Sequence, residues 1–228
     1  MEDFVSLRHI AHVYTDLPSK FGVPRQSGLA DLPGRIVFAP PFRNADALHG
    51  IEGFSHLWLI FDFSAAHRAG FRPTVRPPRL GGNETRGVFA TRSPFRPNPI
   101  GLSSVRLVRV DLKTPDGPVL YVTGVDLLDG TPLFDIKPYL PFTDCHPEAA
   151  GGFAEPLCGA KLAVEIPPVL SGLLPEEKRR LLIALLAEDP RPAYQDDPDR
   201  IYGFPFAGYE VRFRVQGGRA TVTAIEKA

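Results

Sequence analysis

Few cysteines and no long apolar run occur in this chain of 228 residues. Cys145 and Cys158 are its only cysteines, and they do not form a Cys-x-x-Cys pair. A disulfide framework is therefore not expected, and two reduced thiols suit a cytoplasmic protein. No apolar run approaches the roughly 20 residues that a membrane-spanning helix needs. The opening residues carry acidic groups and no small-residue cleavage site, so neither a signal peptide nor a membrane partner is expected.

Several cofactor and catalytic signatures are also absent from the sequence. No Gly-x-Gly-x-x-Gly follows the first predicted strand, which argues against a Rossmann dinucleotide site, and no Walker loop occurs. No Gly-x-Ser-x-Gly elbow supports a serine nucleophile. His9 and His12 are three residues apart on a predicted strand and would face opposite sides, so no metal site is expected.

Proline and glycine are abundant, with 25 and 21 residues, which favours many turns and short strands over a helical bundle. The fold is therefore expected to be mainly β. The most apolar strand candidate is Phe54–Phe63, whose near-continuous hydrophobicity indicates burial on both faces or a dimer contact. Further strands are predicted at 4–15, 35–39, 87–91, 101–112, 119–128 and 160–166. Three prolines (132, 138 and 141) are expected to exclude a regular strand between residues 131 and 141.

The last third of the chain has a different composition. Residues 175–188 form the one strong helix pattern, with Leu181, Leu182, Leu185 and Leu186 on its apolar face. A hairpin is predicted around Gly217-Gly218. These elements predict a small α+β C-terminal domain at 160–228, a linker at 148–159 and an N-terminal domain at 1–147.

A stiff cationic loop, TRSPFRPNPIGLS, lies within the residues 87–104. Nine arginines and no lysine occur between residues 68 and 109, and Glu84 is the only acid there. This set, called the arginine belt below, comprises Arg68, Arg72, Arg76, Arg79, Arg86, Arg92, Arg96, Arg106 and Arg109. Arginine suits planar contacts with phosphates or bases, so an anionic partner is predicted. The alternative is that these arginines pair with acids such as Asp62, Asp126 or Asp135.

A second proline-rich segment, DGTPLFDIKPYLPF, contains clustered acidic and polar residues. Two stiff loops of complementary charge favour a functional site. The alternative is a structural salt bridge that seals one end of a barrel. From these residues alone, RNA binding and an enzyme acting on a small anion are equally supported.

Five motifs, in order and spacing, carry a resemblance to a known family. They are VPRQSGL, RPTVRPPRLGGN, GVFATRSPFRPNPIGLS, DGTPLFDIKPYLPF and DPRPAY. Together they resemble the TrmO family of tRNA N6-threonylcarbamoyladenosine methyltransferases, which act at adenosine 37 beside the anticodon. The resemblance implies an N-terminal single-sheet β-barrel domain that binds S-adenosylmethionine (SAM), and a homodimer with active sites across the interface.

The resemblance also implies site residues. The cofactor-binding residues are expected to be Gln26, Ser27, Gly28, Ser64, Ala65, Arg92, Leu102, Gly124, Val125 and Asp126. The catalytic residues are expected to be Asp135, Lys137 and Tyr139. The residues that contact the tRNA anticodon stem-loop are expected to be Arg76, Arg79, Arg86, Arg191 and Tyr194. Arg96 receives no role.

Two other functions remain open beside this one. The first is a SAM-dependent methyltransferase or SAM-binding regulator acting on a small anionic metabolite. The second is a non-catalytic RNA-binding barrel whose arginines only hold tRNA.

Overall fold

The computed structural model describes residues 5–77, 84–157, 161–192, 195 and 197–228. Its strands are β1 (Ala11–Tyr14), β2 (Pro33–Phe38), β3 (His56–Asp62), β4 (Thr74–Val75), β5 (Arg86–Gly87), β6 (Ile100–Thr114), β7 (Gly117–Thr123), β8 (Thr131–Pro138), β9 (Ala163–Glu165), β10 (Tyr202–Phe206), β11 (Tyr209–Gln216) and β12 (Arg219–Lys227). Its α-helices are α1 (Pro141–Asp144), α2 (Pro168–Ser171) and α3 (Glu176–Ala187). The mainly β prediction is confirmed.

Six strands close into an antiparallel barrel in the order β1-β2-β7-β6-β3-β8. Alternate residues of β3, namely Leu57, Leu59 and Phe61, are buried in the barrel core. A Cβ at Gly101 of β6 would lie 2.1 Å from Cζ of Phe61. Glycine at this position therefore leaves the room that the phenylalanine ring occupies. The other face of β3 is less buried, so burial on both faces is not observed within one chain, and the alternative of a dimer contact stays a prediction.

The C-terminal sheet has the order β10-β11-β12-β9, with β9 parallel to β12. The helix α3 buries Leu181, Leu182, Leu185 and Leu186, which confirms the predicted apolar face. The predicted hairpin is also present as β11 and β12. Strand β10 was not predicted, because the proline and the two glycines of GFPFAG conceal its alternation of buried and exposed residues.

Aromatic packing joins the barrel to the C-terminal sheet. The ring of Phe21 stacks against Tyr202 with centroids 6.1 Å apart, and it also contacts Phe204 and Phe213. Gly22 has φ +95°, and a Cβ there would lie 2.5 Å from the Phe204 ring. The loop before the predicted cofactor motif is therefore anchored on the C-terminal sheet.

Three strand predictions were wrong in extent. Residues 88–90 form a 3-10 turn, because the Thr91 hydroxyl and backbone N–H both bond the Val88 carbonyl. Strand β7 ends at Thr123 rather than at residue 128, since Gly124 adopts the left-handed region. Strand β1 covers only part of the predicted 4–15, because its pairing with β2 ends at Phe38 and β8 pairs with β3 beyond Leu133.

The expected exclusion of a strand from 131–141 was also wrong. Strand β8 runs through Pro132 and Pro138, which are its second and last residues. A missing N–H is tolerated near strand ends, where the neighbouring strands make few bonds. Asp135 and Lys137 therefore lie on a barrel strand rather than on a turn-rich loop.

Candidate active site

Two glycines bring the first predicted cofactor loop to the end of β7. Gly28 and Gly124 have φ of +79° and +81°, and the Gly28 N–H donates to the Gly124 carbonyl at 2.9 Å. A Cβ at Gly124 would lie 3.4 Å from the Gly28 nitrogen. Close backbone approach with positive φ on both sides requires glycine. The predicted residues 26–28 and 124–126 therefore form one continuous surface.

A buried carboxylate lies at this junction. The Oδ1 atom of Asp126 is buried and has no hydrogen-bond partner among the described residues. Burial raises the pKa of Asp126, and a hydrogen bond from Ser103, the Arg92 charge and the backbone of Ser27 act in the opposite direction. A buried acceptor without a partner suits a ligand that brings a cation or donor.

Arg92 lies beside this carboxylate with its side chain exposed. Its Nη1 donates to Oε1 of Gln26 at 2.5 Å, and Nε2 of Gln26 donates to the Arg25 carbonyl at 2.6 Å. A guanidinium and a carboxylate at one site provide complementary groups for a zwitterionic amino-acid moiety. The residues present therefore fit the amino-acid part of SAM.

Sequence reasoning missed Ser103, which is 3% exposed and hydrogen-bonds Asp126. Its signal was the period-two pattern of β6, in which Ser103 is in phase with buried Val105. Leu102 of the same strand points the opposite way and is 54% exposed. The structure therefore separates Leu102 from the other cofactor-site residues of β6 and β7.

The third predicted cofactor segment follows β3. Ser64 and Ala65 are exposed in a 3-10 turn, and the Ala65 carbonyl accepts a hydrogen bond from Lys20 Nζ at 2.8 Å. Buried Asp62 at the end of β3 contacts Nε2 of His67 at 2.6 Å and Nε2 of His9 at 3.3 Å. The sequence predicts that buried Asp62 needs a partner, and His9 and His67 are its partners. The contact of His67 with Asp62 holds the 3-10 turn in place.

The predicted catalytic residues Asp135, Lys137 and Tyr139 share the outer face of the barrel. Nζ of Lys137 lies 2.9 Å from Oδ2 of Asp135. In the strand register, Ile60 of β3 is paired with Asp135 on one side and with Leu102 on the other. Leu102 therefore lies on the same outer surface as the predicted catalytic residues.

Tyr139 packs against Trp58, with ring centroids 5.4 Å apart. Partial burial raises the pKa of Tyr139, and so do the neighbouring Cys145 thiol and Asp144 carboxylate. A phenol with a raised pKa stays protonated at neutral pH, so Tyr139 is a hydrogen-bond donor there rather than a base.

The DPRP turn, residues 189–192, is held rigidly. Asp189 has φ +47°, and its carboxylate accepts hydrogen bonds from Nε and Nη2 of Arg191 at 2.9 and 3.0 Å. Hydrogen bonding to Asp189 raises the pKa of Arg191. Nη2 of Arg25 donates to the carbonyls of Asp189 and Arg191 at 2.9 and 2.5 Å. Arg25 therefore connects this turn to Gln26 of the predicted cofactor loop.

The other predicted substrate residues differ in their surroundings. Arg76 is exposed, whereas Arg86 contacts Glu84 at 2.5 Å. Arg79 and Tyr194 lie outside the described residues. Arg96, to which the sequence assigned no role, donates to the Thr91 carbonyl at 3.1 Å and braces its own loop.

The alternative pairing of the arginine belt with acids is only partly supported. Asp62 contacts histidines and Asp135 contacts Lys137, so neither neutralises the belt. Among the described residues of the belt, Arg92 lies near Asp126, and Arg86 and Arg109 pair with Glu84 and Asp111 instead. Arg72 and Arg76 form no ion pair with any described residue, so their charge is available for a partner.

A large cleft of about 1120 Å³ lies between the barrel and α3. Its lining includes Arg35, Arg106, Tyr121 and Lys178, but none of the predicted cofactor residues. Among the residues described, no cluster of His, Cys, Asp and Glu is arranged to hold a metal ion. Within the same ranges, no helix has the length and apolar character that a bilayer crossing requires.

We expect Asp126→Asn to stabilise the fold at neutral pH and to weaken SAM binding. The pKa of Asp126 is higher in the folded than in the unfolded protein. Ionisation of the carboxyl group therefore destabilises the fold once the pH exceeds about 4, and this destabilisation disappears below that pH, where the group is protonated in both states. At pH 7 the variant should unfold with a free energy about 1 kcal/mol higher than the native protein. The difference should shrink as the pH falls toward about 4.

Urea titrations at several pH values and calorimetric titration with SAM test this expectation. Asp116→Asn, in an exposed turn, is the matched control and should change neither quantity. A less stable Asp126→Asn protein at pH 7, or one with native SAM affinity, would contradict it.

Arg25→Ala should misplace the DPRP turn without disturbing the cofactor residues. Loss of both hydrogen bonds to the turn should lower kcat/KM for tRNA roughly tenfold while the Kd for SAM stays unchanged. Steady-state kinetics with tRNA and SAM varied in turn shows whether the loss is confined to tRNA. Arg214→Ala, on an exposed position of β11, is the control. Equal losses for tRNA and SAM would indicate general unfolding instead.

Comparison with known proteins identifies the family to which the chain belongs. The family model of the tRNA-methyltransferase O N-terminal domain matches residues 12–145, and that of the TrmO C-terminal domain matches residues 160–228. The tRNA (adenine(37)-N6)-methyltransferase of Escherichia coli (strain K12) is 45% identical over 216 residues, covering 91% of this chain and 92% of that protein.

Two further comparisons come from Pseudomonas aeruginosa. A protein provisionally named S-adenosylmethionine-dependent methyltransferase RcsF is 43% identical over 208 residues, covering 87% of each chain. The crystal structure of TrmO superposes with a TM-score of 0.80 and 32% identity, covering 100% of this chain and 99% of that one. The motif resemblance is thereby confirmed, and the chain belongs to the TrmO family of tRNA methyltransferases.

Proposed function

We propose that this enzyme uses SAM to methylate N6 of threonylcarbamoyladenosine at position 37 of tRNA, beside the anticodon. The observation that carries the proposal is the convergence of Arg92, Gln26 and the buried Oδ1 atom of Asp126, which has no hydrogen-bond partner among the described residues, at the Gly28–Gly124 contact. The family membership of the chain supports the same reaction class.

The cofactor-site residues suit the two charged groups of the SAM amino-acid moiety. Arg92 would pair with the carboxylate, and Asp126 would accept hydrogen bonds from the ammonium group. The missing side chains at Gly28 and Gly124 allow close backbone approach. When bound, SAM supplies an electrophilic methyl group on its sulfonium.

The outer-face residues suit the nucleophile. The N6 nitrogen carries a proton that must leave as its bond to the methyl carbon forms. Asp135 is the carboxylate on this face, and it would accept that proton. Lys137 would stabilise the charge that develops on the modified base, and protonated Tyr139 would donate a hydrogen bond.

The arginine belt and the DPRP turn suit an RNA substrate. The threonine part of the modified adenosine bears a carboxylate, and the anticodon loop bears phosphates. Arg76 and Arg86 would contact these anions, together with Arg79, Arg191 and Tyr194. Asp189 already orients the Arg191 side chain, so Arg191 would be preorganised for binding RNA.

A homodimer would complete the site. Leu102 is 54% exposed on the same outer face as Asp135, whereas Ser103 of the same strand is 3% exposed and the Oδ1 atom of Asp126 is buried. A second copy covering this face would place the cofactor that the second copy binds in contact with the exposed Leu102. It would also shield the catalytic residues from water. The tRNA substrate and the exposed, unpaired Cys145 thiol both suit the cytoplasm.

Arg92→Ala should abolish methylation while the fold stays intact, because the cofactor carboxylate loses its cation. The measurement is nucleoside mass spectrometry of threonylcarbamoyladenosine-containing tRNA incubated with protein and SAM. A loss of at least about a hundredfold in rate is expected, and Arg214→Ala should retain native activity. Full activity of Arg92→Ala would contradict the assignment.

The same assay separates the alternative functions. A non-catalytic RNA-binding barrel would show no heat on calorimetric titration with SAM. A methyltransferase or regulator for a small anionic metabolite would bind SAM and leave the tRNA nucleosides unmodified.

Sedimentation equilibrium tests the homodimer. The native protein, with a chain mass of 25.0 kDa, should sediment at twice that mass. Leu102→Arg should shift it to the monomer, because the interface would then bury an unpaired charge. Val169→Arg, at an 81% exposed position on α2, should remain dimeric. A native protein that sediments as a monomer would contradict the proposal.

A further inference from the structure

An exposed pair of aromatic rings lies within the arginine belt. Phe71 and Phe89 are 53% and 73% exposed, and their rings stack with centroids 6.1 Å apart and planes at 24°. Adjacent large apolar side chains that are both exposed to solvent are uncommon away from interaction sites. The function proposed above does not yet use this pair.

The backbone holds the two rings in place. Strands β4 and β5 pair Thr74 with Gly87, so the residues before β4 and after β5 lie side by side. The Val88 N–H donates to the Pro73 carbonyl at 2.9 Å, and the Val88 side chain is 1% exposed. The paired strands and the buried Val88 side chain therefore fix the positions of the two rings, which preorganises them for binding.

The charges around the pair are mainly positive, and the one acid of this region, Glu84, pairs with Arg86. Arg68 and Arg72 flank Phe71 in sequence, and the guanidinium of Arg68 lies 3.8 Å from the ring centroid of Phe95. Arg72 and Arg76 are exposed and form no ion pair with any residue in the described parts of the chain. Aromatic faces among unpaired arginines are the combination that binds unpaired bases and their phosphates.

A second copy of this chain fits the same surface less well. In a twofold contact, a surface patch meets its own copy. Close to the twofold axis, Arg72 and Arg76 of one copy would approach the same arginines of the other, and like charges would oppose each other without a counter-ion. RNA instead brings negative phosphates and flat bases together.

We propose that Phe71 and Phe89 form a stacking platform for an unpaired base of the anticodon loop other than the base that is methylated. The proposal rests on the proposed function in taking the RNA to be tRNA. The exposed ring faces extend the Phe–Phe stack onto the base, and Arg72 and Arg76 contact the adjoining phosphates. The platform thereby orients the loop while the modified adenosine occupies the catalytic site.

Binding of a fluorescent anticodon stem-loop, measured by anisotropy at several salt concentrations, tests the platform. The double variant Phe71→Ala/Phe89→Ala should raise the Kd about tenfold. Its slope of log Kd against log salt should equal the native slope, because no phosphate contact is lost. Arg72→Ala should instead lower that slope by about 1.

Conservative variants separate stacking from generic apolar contact. Phe89→Tyr keeps an aromatic ring and should bind as the native protein does. Phe89→Leu keeps apolar area without the ring and should weaken binding. Phe142→Ala removes an 87% exposed phenylalanine on α1, outside the belt, and is the matched control. Native binding by the double variant or by Phe89→Leu would overturn the platform.

Two further measurements distinguish the remaining outcomes. Conversion of a native dimer to a monomer by the double variant would make the pair a contact between copies and would overturn the proposal. Native protein that binds the stem-loop but leaves its nucleosides unmodified would refute the proposed function while the platform stands. Unchanged thermal melting confirms that each variant is folded, since both rings are exposed.

Discussion

The backbone contact between Gly28 and Gly124 is the constraint on which the candidate site depends. It joins a loop that precedes β2 to the end of β7, which lie about 100 residues apart in sequence. Both glycines adopt left-handed backbone conformations, and a Cβ at Gly124 would lie 3.4 Å from the Gly28 nitrogen. Gln26 and Asp126 thereby reach the same place, and Arg92 approaches both from the cationic loop.

The site combines features that a purely structural region would avoid. A buried carboxylate oxygen of Asp126 lacks a partner, Asp189 adopts a left-handed conformation, and aromatic rings remain exposed in the belt. Each feature is unfavourable for folding or solubility and useful for a charged ligand or a nucleic acid. Rigid surroundings tolerate them, since Arg25 fixes the DPRP turn and the aromatic packing of Phe21 joins the two parts of the chain.

Interpretation of single motifs succeeded where local sequence dictates structure. The apolar face of α3, the strand β3 and the hairpin of β11 and β12 follow from periodicity and turn residues, and all are present. It failed where contacts made by other residues decide the local conformation. Strand β8 tolerates Pro132 and Pro138 because they lie near its ends, and Val88 forms a turn although its sequence favours a strand.

The sequence by itself determined the family, the mainly β character and the polar residue types of the site. Long motifs and local periodicity carry that information without long-range contacts. Only the tertiary structure decided that Ser103 reaches Asp126, that His9 and His67 contact Asp62, and that Leu102 shares the outer face with Asp135. The physical reason is register: one residue of shift in a strand turns every side chain to the opposite face.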